Sequence, residues 1–390
     1  MPDRRIDADL RLHQVRPSLA MCMMIVGFAG FLLIGEPSSA STGFSVGHLN
    51  HRPETLIPGE GRVFDVRFTL SEPARVFLEI YDDRDLLVAE VDSGGLLESG
   101  DQSLSWDGRD LRGRIVPPNA YQYILAGSDQ AGLERNRHLP PEDSVRSRTK
   151  WIDVAWDATS GELTYRLDVP SRVRIRVGLS RNGPLLKTLH DWVPRTRGGH
   201  SDRWDGFDAS RAMNFSNHPN LKFTARAFVL PRNTLIVEGS ARSDQYITDL
   251  PEPVRRLDRG DSNSFRMFDY ARQSGSQRGD IEVALEIGLP KDEDSESERR
   301  RVAGAVPVRV TTSSKDAERL LNERFEAVYF VDGRMVFETE VGFLPITWRW
   351  DTSSAVPGEH LLTVNLRGFD GHFGLASKIV NVVRESSGTN

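Results

Sequence analysis

Cysteine is nearly absent from this 390-residue chain, and Cys22 is its one example. It lies inside an apolar run near the N-terminus. A chain trimmed of that run would hold no thiol at all. Disulfides, iron–sulfur clusters, thiolate zinc sites and covalently attached haem are then excluded, and stability has to come from packed cores. Lysine is also scarce: of 50 basic residues, six are Lys and the rest Arg, and the net charge is −6. No basic block offers a face for neutralising phosphates, so nucleic acid is not an expected partner. Apolar runs are short as well. Leu19 to Ile34 spans 16 residues, against about 20 for a bilayer-crossing helix. No His-Glu-x-x-His, Gly-x-Ser-x-Gly or phosphate-cradling Gly-Lys-Ser/Thr motif occurs, so the common hydrolase and nucleotide signatures are missing.

What is present starts with the leader. Arg4, Arg5, Arg11 and Arg16 precede the apolar run, and Ser38-Ser39-Ala40 follows it. A charged lead, an apolar core and small residues form the layout of a secretory signal. Residues 1–40 are therefore expected to be a signal peptide cleaved after Ala40. That would make the protein secreted, either periplasmic or at the cell surface, with no membrane span in the mature chain. The alternative is an uncleaved anchor.

The strongest internal signal is a repeat. Leu70, Pro73, Arg75 and Val76 recur 97 residues later as Leu167, Pro170, Arg172 and Val173. Trp106-Asp107-Gly108 recurs as Trp204-Asp205-Gly206, 98 residues on. A spacing near 100 residues matches one β-sandwich domain. Each copy alternates with period two, as half-buried strands do. Phe64, Val66, Phe68 and Leu70 share one face in the first copy. Leu163, Tyr165, Leu167 and Val169, then Val173, Ile175 and Val177, do so in the second. In Trp-Asp-Gly, the indole supplies buried area, Asp bonds its own backbone, and Gly accepts a positive φ.

A third unit near the C-terminus carries strand-like runs at Val306–Thr311 and Phe325–Val331, an Asp332-Gly333 hairpin signal, and Trp350-Asp351. Ser313 or Ser314 is placed to cap a short helix over Lys315 to Glu323. Residues 128–149 and 238–300 are polar. The second of these stretches is expected to be partly disordered around a strand at Ile281 to Ile287. The expected organisation is all-β: tandem immunoglobulin-like β-sandwiches at 41–128, 150–237 and 303–385, with a polar linker or insertion at 238–302.

Phe68-Thr-Leu, Val76-Phe-Leu-Glu-Ile-Tyr-Asp, Trp106-Asp-Gly-Arg-Asp, Gly113 and Val116-Pro-Pro-Asn-Ala-Tyr-Gln-Tyr resemble the Ig-like domain named for the flagellar hook-capping protein. The resemblance covers residues 62–128 and weakens over 150–230. It implies an Ig-like fold and an exported setting, not hook assembly. Asn119 stands where that family commonly has Gly, and Asn tolerates the same left-handed backbone. Residues 303–384 are similar to another bacterial Ig-like type, through Val331-Asp-Gly, Trp350-Asp-Thr and Pro357-Gly-Glu-His.

Chemistry-bearing clusters are few. His48 and His51 are close in sequence and read as exposed loop histidines before a metal pair. Asp82, Asp83 and Asp85 are weak candidates for calcium, which needs six to eight convergent oxygens; the plainer reading is a solvated turn. Asp107, Asp205 and Asp351 read as structural turns because they recur with the Trp. Trp151, Trp156, Trp192 and Trp348 lie outside those turns and would serve a sugar platform if exposed and coplanar; core packing is the commoner use. No catalytic or cofactor-binding residue stands out. The expected function is a non-catalytic structural or interaction protein that binds protein partners in a cell-envelope or extracellular assembly. Polysaccharide binding is the alternative, and an enzyme with a site in 238–302 ranks below it.

Overall fold

The computed structural model describes residues 45–128, 135–138, 149–239, 280–288, 300–340, 343–368 and 371–384. The expected signal peptide and most of the 238–302 stretch lie outside them. Gly43–Asn390 is one compact unit, and the regular structure of its described residues is strand apart from one short helix. No helix among them is long and apolar enough to cross a membrane.

The first sandwich holds β1 (Val46–Arg52), β2 (Thr55–Leu56), β3 (Phe64–Leu70), β4 (Ala74–Tyr81), β5 (Leu87–Leu97), β6 (Gly100–Trp106), β7 (Asn119–Ser128) and β8 (Arg135–His138). One sheet runs β1-β3-β6. The period-two pattern determines which way β3 faces: Phe64, Val66, Phe68 and Leu70 enter the core, where Trp106, Tyr121 and Leu125 meet them.

The second sandwich follows with β9 (Thr149–Trp151), β10 (Val154–Asp157), β11 (Glu162–Leu167), β12 (Ser171–Leu179), β13 (Leu185–Arg195), β14 (Gly198–Arg203) and β15 (Leu221–Val229). Its sheets run β10-β11-β14 and β13-β12-β15-β9. Leu163, Tyr165, Leu167, Val173 and Ile175 form its core. Val169 does not join them. β11 ends at Leu167, and Val169 is exposed at the turn into β12.

The next strand, β16 (Thr234–Val237), departs from the expected boundary at residue 237. It returns to the first sandwich, antiparallel to β7 (Thr234 opposite Gln122, Val237 opposite Asn119) and parallel to β2. The other sheet of the first sandwich is thus β2-β16-β7-β4-β5. The second sandwich is inserted between strands of the first. Leu235-Ile-Val237 is an apolar run buried on both faces; periodicity cannot say which sheet supplies that burial.

The third sandwich contains β17 (Ile281–Ile287), β18 (Arg300–Val302), β19 (Ala305–Thr312), β20 (Phe325–Val331), β21 (Arg334–Thr339), β22 (Ile346–Asp351), β23 (Gly358–Gly368) and β24 (Phe373–Val382), with helix α1 (Ser314–Glu323) between β19 and β20. Strand order is β21-β20-β23-β24-β17-β19-β22, with β18 beside β24. Two strands from the expected insertion, β17 and β18, therefore belong to this sheet. Val302 and Ile281 are buried in its core. The Ser313 side chain accepts the Asp316 amide at 3.2 Å and caps α1.

Candidate functional site

The residues that look most like chemistry build two copies of one corner. Trp106 Nε1 donates to the Arg109 carbonyl at 2.7 Å, and Trp204 Nε1 to that of Phe207 at 2.9 Å. Asp107 Oδ1 accepts the Arg109 amide at 3.0 Å, and Asp205 Oδ1 that of Phe207 at 3.1 Å. Gly108 and Gly206 have φ of 83° and 81°. A Cβ at Gly206 would sit 1.8 Å from Ser216 Oγ, so the turn tolerates only glycine. The copies continue further. Asp110 Oδ1 accepts the Arg112 and Arg114 amides, and Asp208 Oδ1 accepts that of Met213. Leu111 donates to the Val88 carbonyl as Ala209 donates to that of Leu186. These carboxylates are spent organising backbone. The third Trp-Asp keeps part of this: Asp351 Oδ1 accepts the Ser353 amide at 2.9 Å, with Thr352 in place of glycine.

The other candidates disperse. Asp82 Oδ1 accepts the Arg84 and Leu86 amides, both at 2.9 Å, and its other oxygen takes the Arg84 guanidinium at 2.6 Å. Burial still pushes its carboxyl above the usual range. Asp83 points elsewhere, to Arg172, and Asp85 occupies the left-handed turn at φ 61°. The three do not converge. Among the described residues, no group of three His, Cys, Asp or Glu could hold a metal ion. His48 is exposed, whereas His51 packs on Phe64 and Tyr123, with Nδ1 3.0 Å from the tyrosine hydroxyl.

The four tryptophans share no face. Trp156 packs against Trp204 and Phe223 in the interior. Trp192 is buried with the Arg174 guanidinium over its ring. Trp348 stacks on Phe337 in the third sandwich. Trp151 alone is widely exposed, with Arg226 4.2 Å above its ring.

Sequence reasoning missed the junctions. Arg172, the repeat equivalent of the solvent-exposed Arg75, is buried between the first two sandwiches. Its guanidinium donates to Asn119 Oδ1 at 2.8 Å, to the Trp192 carbonyl at 3.3 Å, and to Asp83 Oδ2 at 3.3 Å. Asn119 is therefore not the left-handed glycine substitute expected; its φ is not positive, and its amide serves this junction. Desolvated guanidinium–carboxylate contacts hold only when every donor has a partner. At the second junction Asn365 exchanges two hydrogen bonds with the Leu185 backbone, at 2.8 and 3.1 Å. Ser377 donates its amide to Ser210 Oγ at 2.8 Å, and Arg176 reaches the Gly371 carbonyl at 3.0 Å. Leu361 and Ile379 of the third sandwich pack with Val177, Leu186, Trp204 and Phe215 of the second.

With this geometry in place, the first sandwich can be assigned. Residues 55–130 match the FlgD Ig-like domain. Here that FlgD Ig-like domain takes β16, the strand between β2 and β7, from beyond the matched stretch. No curated protein sequence matches the chain. Solved structures similar to it include FlgD from P. aeruginosa, at 21% identity over 24% of this chain and 67% of that one, with a TM-score of 0.20. Fibronectin(III)-like modules of CbhA from Clostridium thermocellum align at 9% identity over 88% and 100% of the two chains, with a TM-score of 0.19. A bacterial ice-binding adhesin aligns at 13% identity over 88% and 99%, with a TM-score of 0.18. Likenesses this distant do not bear on function.

Two expected results arise from buried polar groups. Burial pushes the imidazoles of His51 and His190 below their ordinary range, against the opposite pull of Glu54 and Asp202. A lowered histidine binds fewer protons folded than unfolded. Its contribution is complete above the unfolded value of about 6.5 and is lost as pH falls through the lower folded value. His360 is shifted upward, first by its hydrogen bond to the Val356 carbonyl, and acts oppositely, one histidine against two. The melting temperature should thus fall between about pH 7.5 and about pH 5; a flat profile there contradicts the assignment. Separately, Tyr329 Oη is buried without a hydrogen-bond partner among the described residues, and its pKa is pushed up to about 12 by desolvation. Tyr329→Phe should raise stability by about 1 kcal/mol, read as a higher urea midpoint. A lower midpoint would reveal a hydrogen bond worth keeping.

Proposed function

We propose that this chain is an exported, non-catalytic scaffold that presents Ig-like surfaces to protein partners in the bacterial envelope or an extracellular assembly, without a resident cofactor. The two desolvated junctions carry the reading. A catalytic protein concentrates buried polar groups at a cleft open to substrate. Here the buried Arg172, Asp83, Asn365 and Ser377 serve contacts between sandwiches instead. The Trp-Asp-Gly carboxylates serve turns. Fixed spacing between Ig-like modules is a property useful for assembly, and the FlgD Ig-like match over 55–130 is consistent with it.

The test is affinity capture from the source bacterium's own envelope fraction, with N-terminal sequencing of the native protein. Recovery of a defined envelope or surface protein, with a mature start at Ser41, supports the proposal. Recovery from the cytosol with residues 1–40 intact would end the exported reading. Trp151 favours a second reading, polysaccharide binding, because its exposed ring could lie against a sugar face. Retention on cell-wall polysaccharide that Trp151→Ala abolishes would support that reading over the first.

A further inference from the structure

We infer that β21 is a self-association edge, through which two copies of this chain pair antiparallel. β21 ends the strand order of its sheet, so its outer side pairs with no described strand. Edge strands are normally blunted by charge along their length. The edges β6 (Gly-Asp-Gln-Ser-Leu-Ser-Trp) and β14 (Gly-Gly-His-Ser-Asp-Arg) follow that rule with polar outward residues. β21 does not. Met335, Val336 and Phe337 are 54%, 46% and 37% exposed in succession, and Phe343, just beyond the strand, is 68% exposed. Phe337 is braced from behind by Trp348, stacked at 5.5 Å and 3°, so the apolar edge is a firm surface.

The charges indicate the occupant. Arg334-Met-Val-Phe-Glu338 reads basic, apolar, apolar, apolar, acidic. Antiparallel pairing with a second copy about Val336 brings each Arg334 alongside the second copy's Glu338, twice by symmetry. It also covers the apolar centre with an identical one. Parallel pairing would set Arg334 beside Arg334 and Glu338 beside Glu338. The bulge at Val336, where β21 slips register against β20, limits the regular pairing to a short run. The association is therefore weak and dependent on concentration.

Sedimentation velocity of the full chain tests this, in a non-ionic detergent that shields the N-terminal apolar run. The expected result is a monomer–dimer equilibrium at micromolar to sub-millimolar protein. Arg334→Glu or Glu338→Arg alone should weaken dimerisation by about 10-fold, because two attractive pairs become repulsive. The double exchange Arg334→Glu with Glu338→Arg should restore it to near the starting value. All four side chains are on the surface, so an unchanged melting temperature confirms that each variant is folded. A monomer throughout the range overturns the inference. So does a dimer indifferent to the single changes, or a double exchange that behaves like the singles.

Discussion

Leu235→Asp in the full chain should unfold the first sandwich while leaving the second largely intact. Leu235 is 1% exposed and, with Val237, points into the core formed by Phe64, Phe68, Trp106 and Tyr121. Losing the leucine alone costs about 2–5 kcal/mol. A carboxylate buried there without a partner adds several more. The sum approaches the whole stability of an ordinary domain, about 5–15 kcal/mol. Hydrogen exchange separates the outcomes. Amides of β3, β4 and β7 should lose protection, while those of β11 and β12 keep most of theirs. If protection instead vanished first in β11 and β12, β16 would belong to the second sandwich, as its place in the chain suggests.

The second large effect is Trp204→Ala, at about 3–5 kcal/mol. The indole is 4% exposed, packs on Trp156 and Phe223, and donates to the Phe207 carbonyl. Because its apolar cluster includes Leu361, the loss should also loosen the contact with the third sandwich. Trp106→Ala should cost a similar amount but register in the first sandwich alone, since its cluster holds no residue of the third. Calorimetry would show the difference: for Trp106→Ala the transition of the first sandwich moves, and for Trp204→Ala those of the second and third move together. Identical thermograms for the two variants would contradict separate cores.

The corners themselves were readable from the chain. Asp bonding two residues ahead, Gly at positive φ and Trp ending an inward strand are local events, set by residues adjacent in sequence. Their recurrence near 98 residues carried the architecture with it. Strand faces were readable for the same reason, except at Val169, where the alternation ran past the strand's end into a turn. Apolar alternation says nothing about where a strand stops.

The junctions were not readable. Arg75 and Arg172 hold the same repeat position and sit beside the same kind of strand. One is solvated against Asp92 and the other is buried against Asp83 and Asn119. What separates them is a neighbouring sandwich, contributed from far along the chain. The aspartate trio reads first as a turn, and its backbone bonds are those of a turn, but the reach of Asp83 to Arg172 in the next sandwich was not readable.

The sequence by itself determined the all-β class, the repeat, the turn chemistry and the faces of most strands, because short-range sterics and period-two burial act within a few residues. Only the tertiary structure decided that β16 closes the first sandwich, that β17 and β18 join the third, and that Arg172 and Asn365 join neighbours. Each of those depends on which distant surface removes a group from water, and a linear pattern does not contain that information.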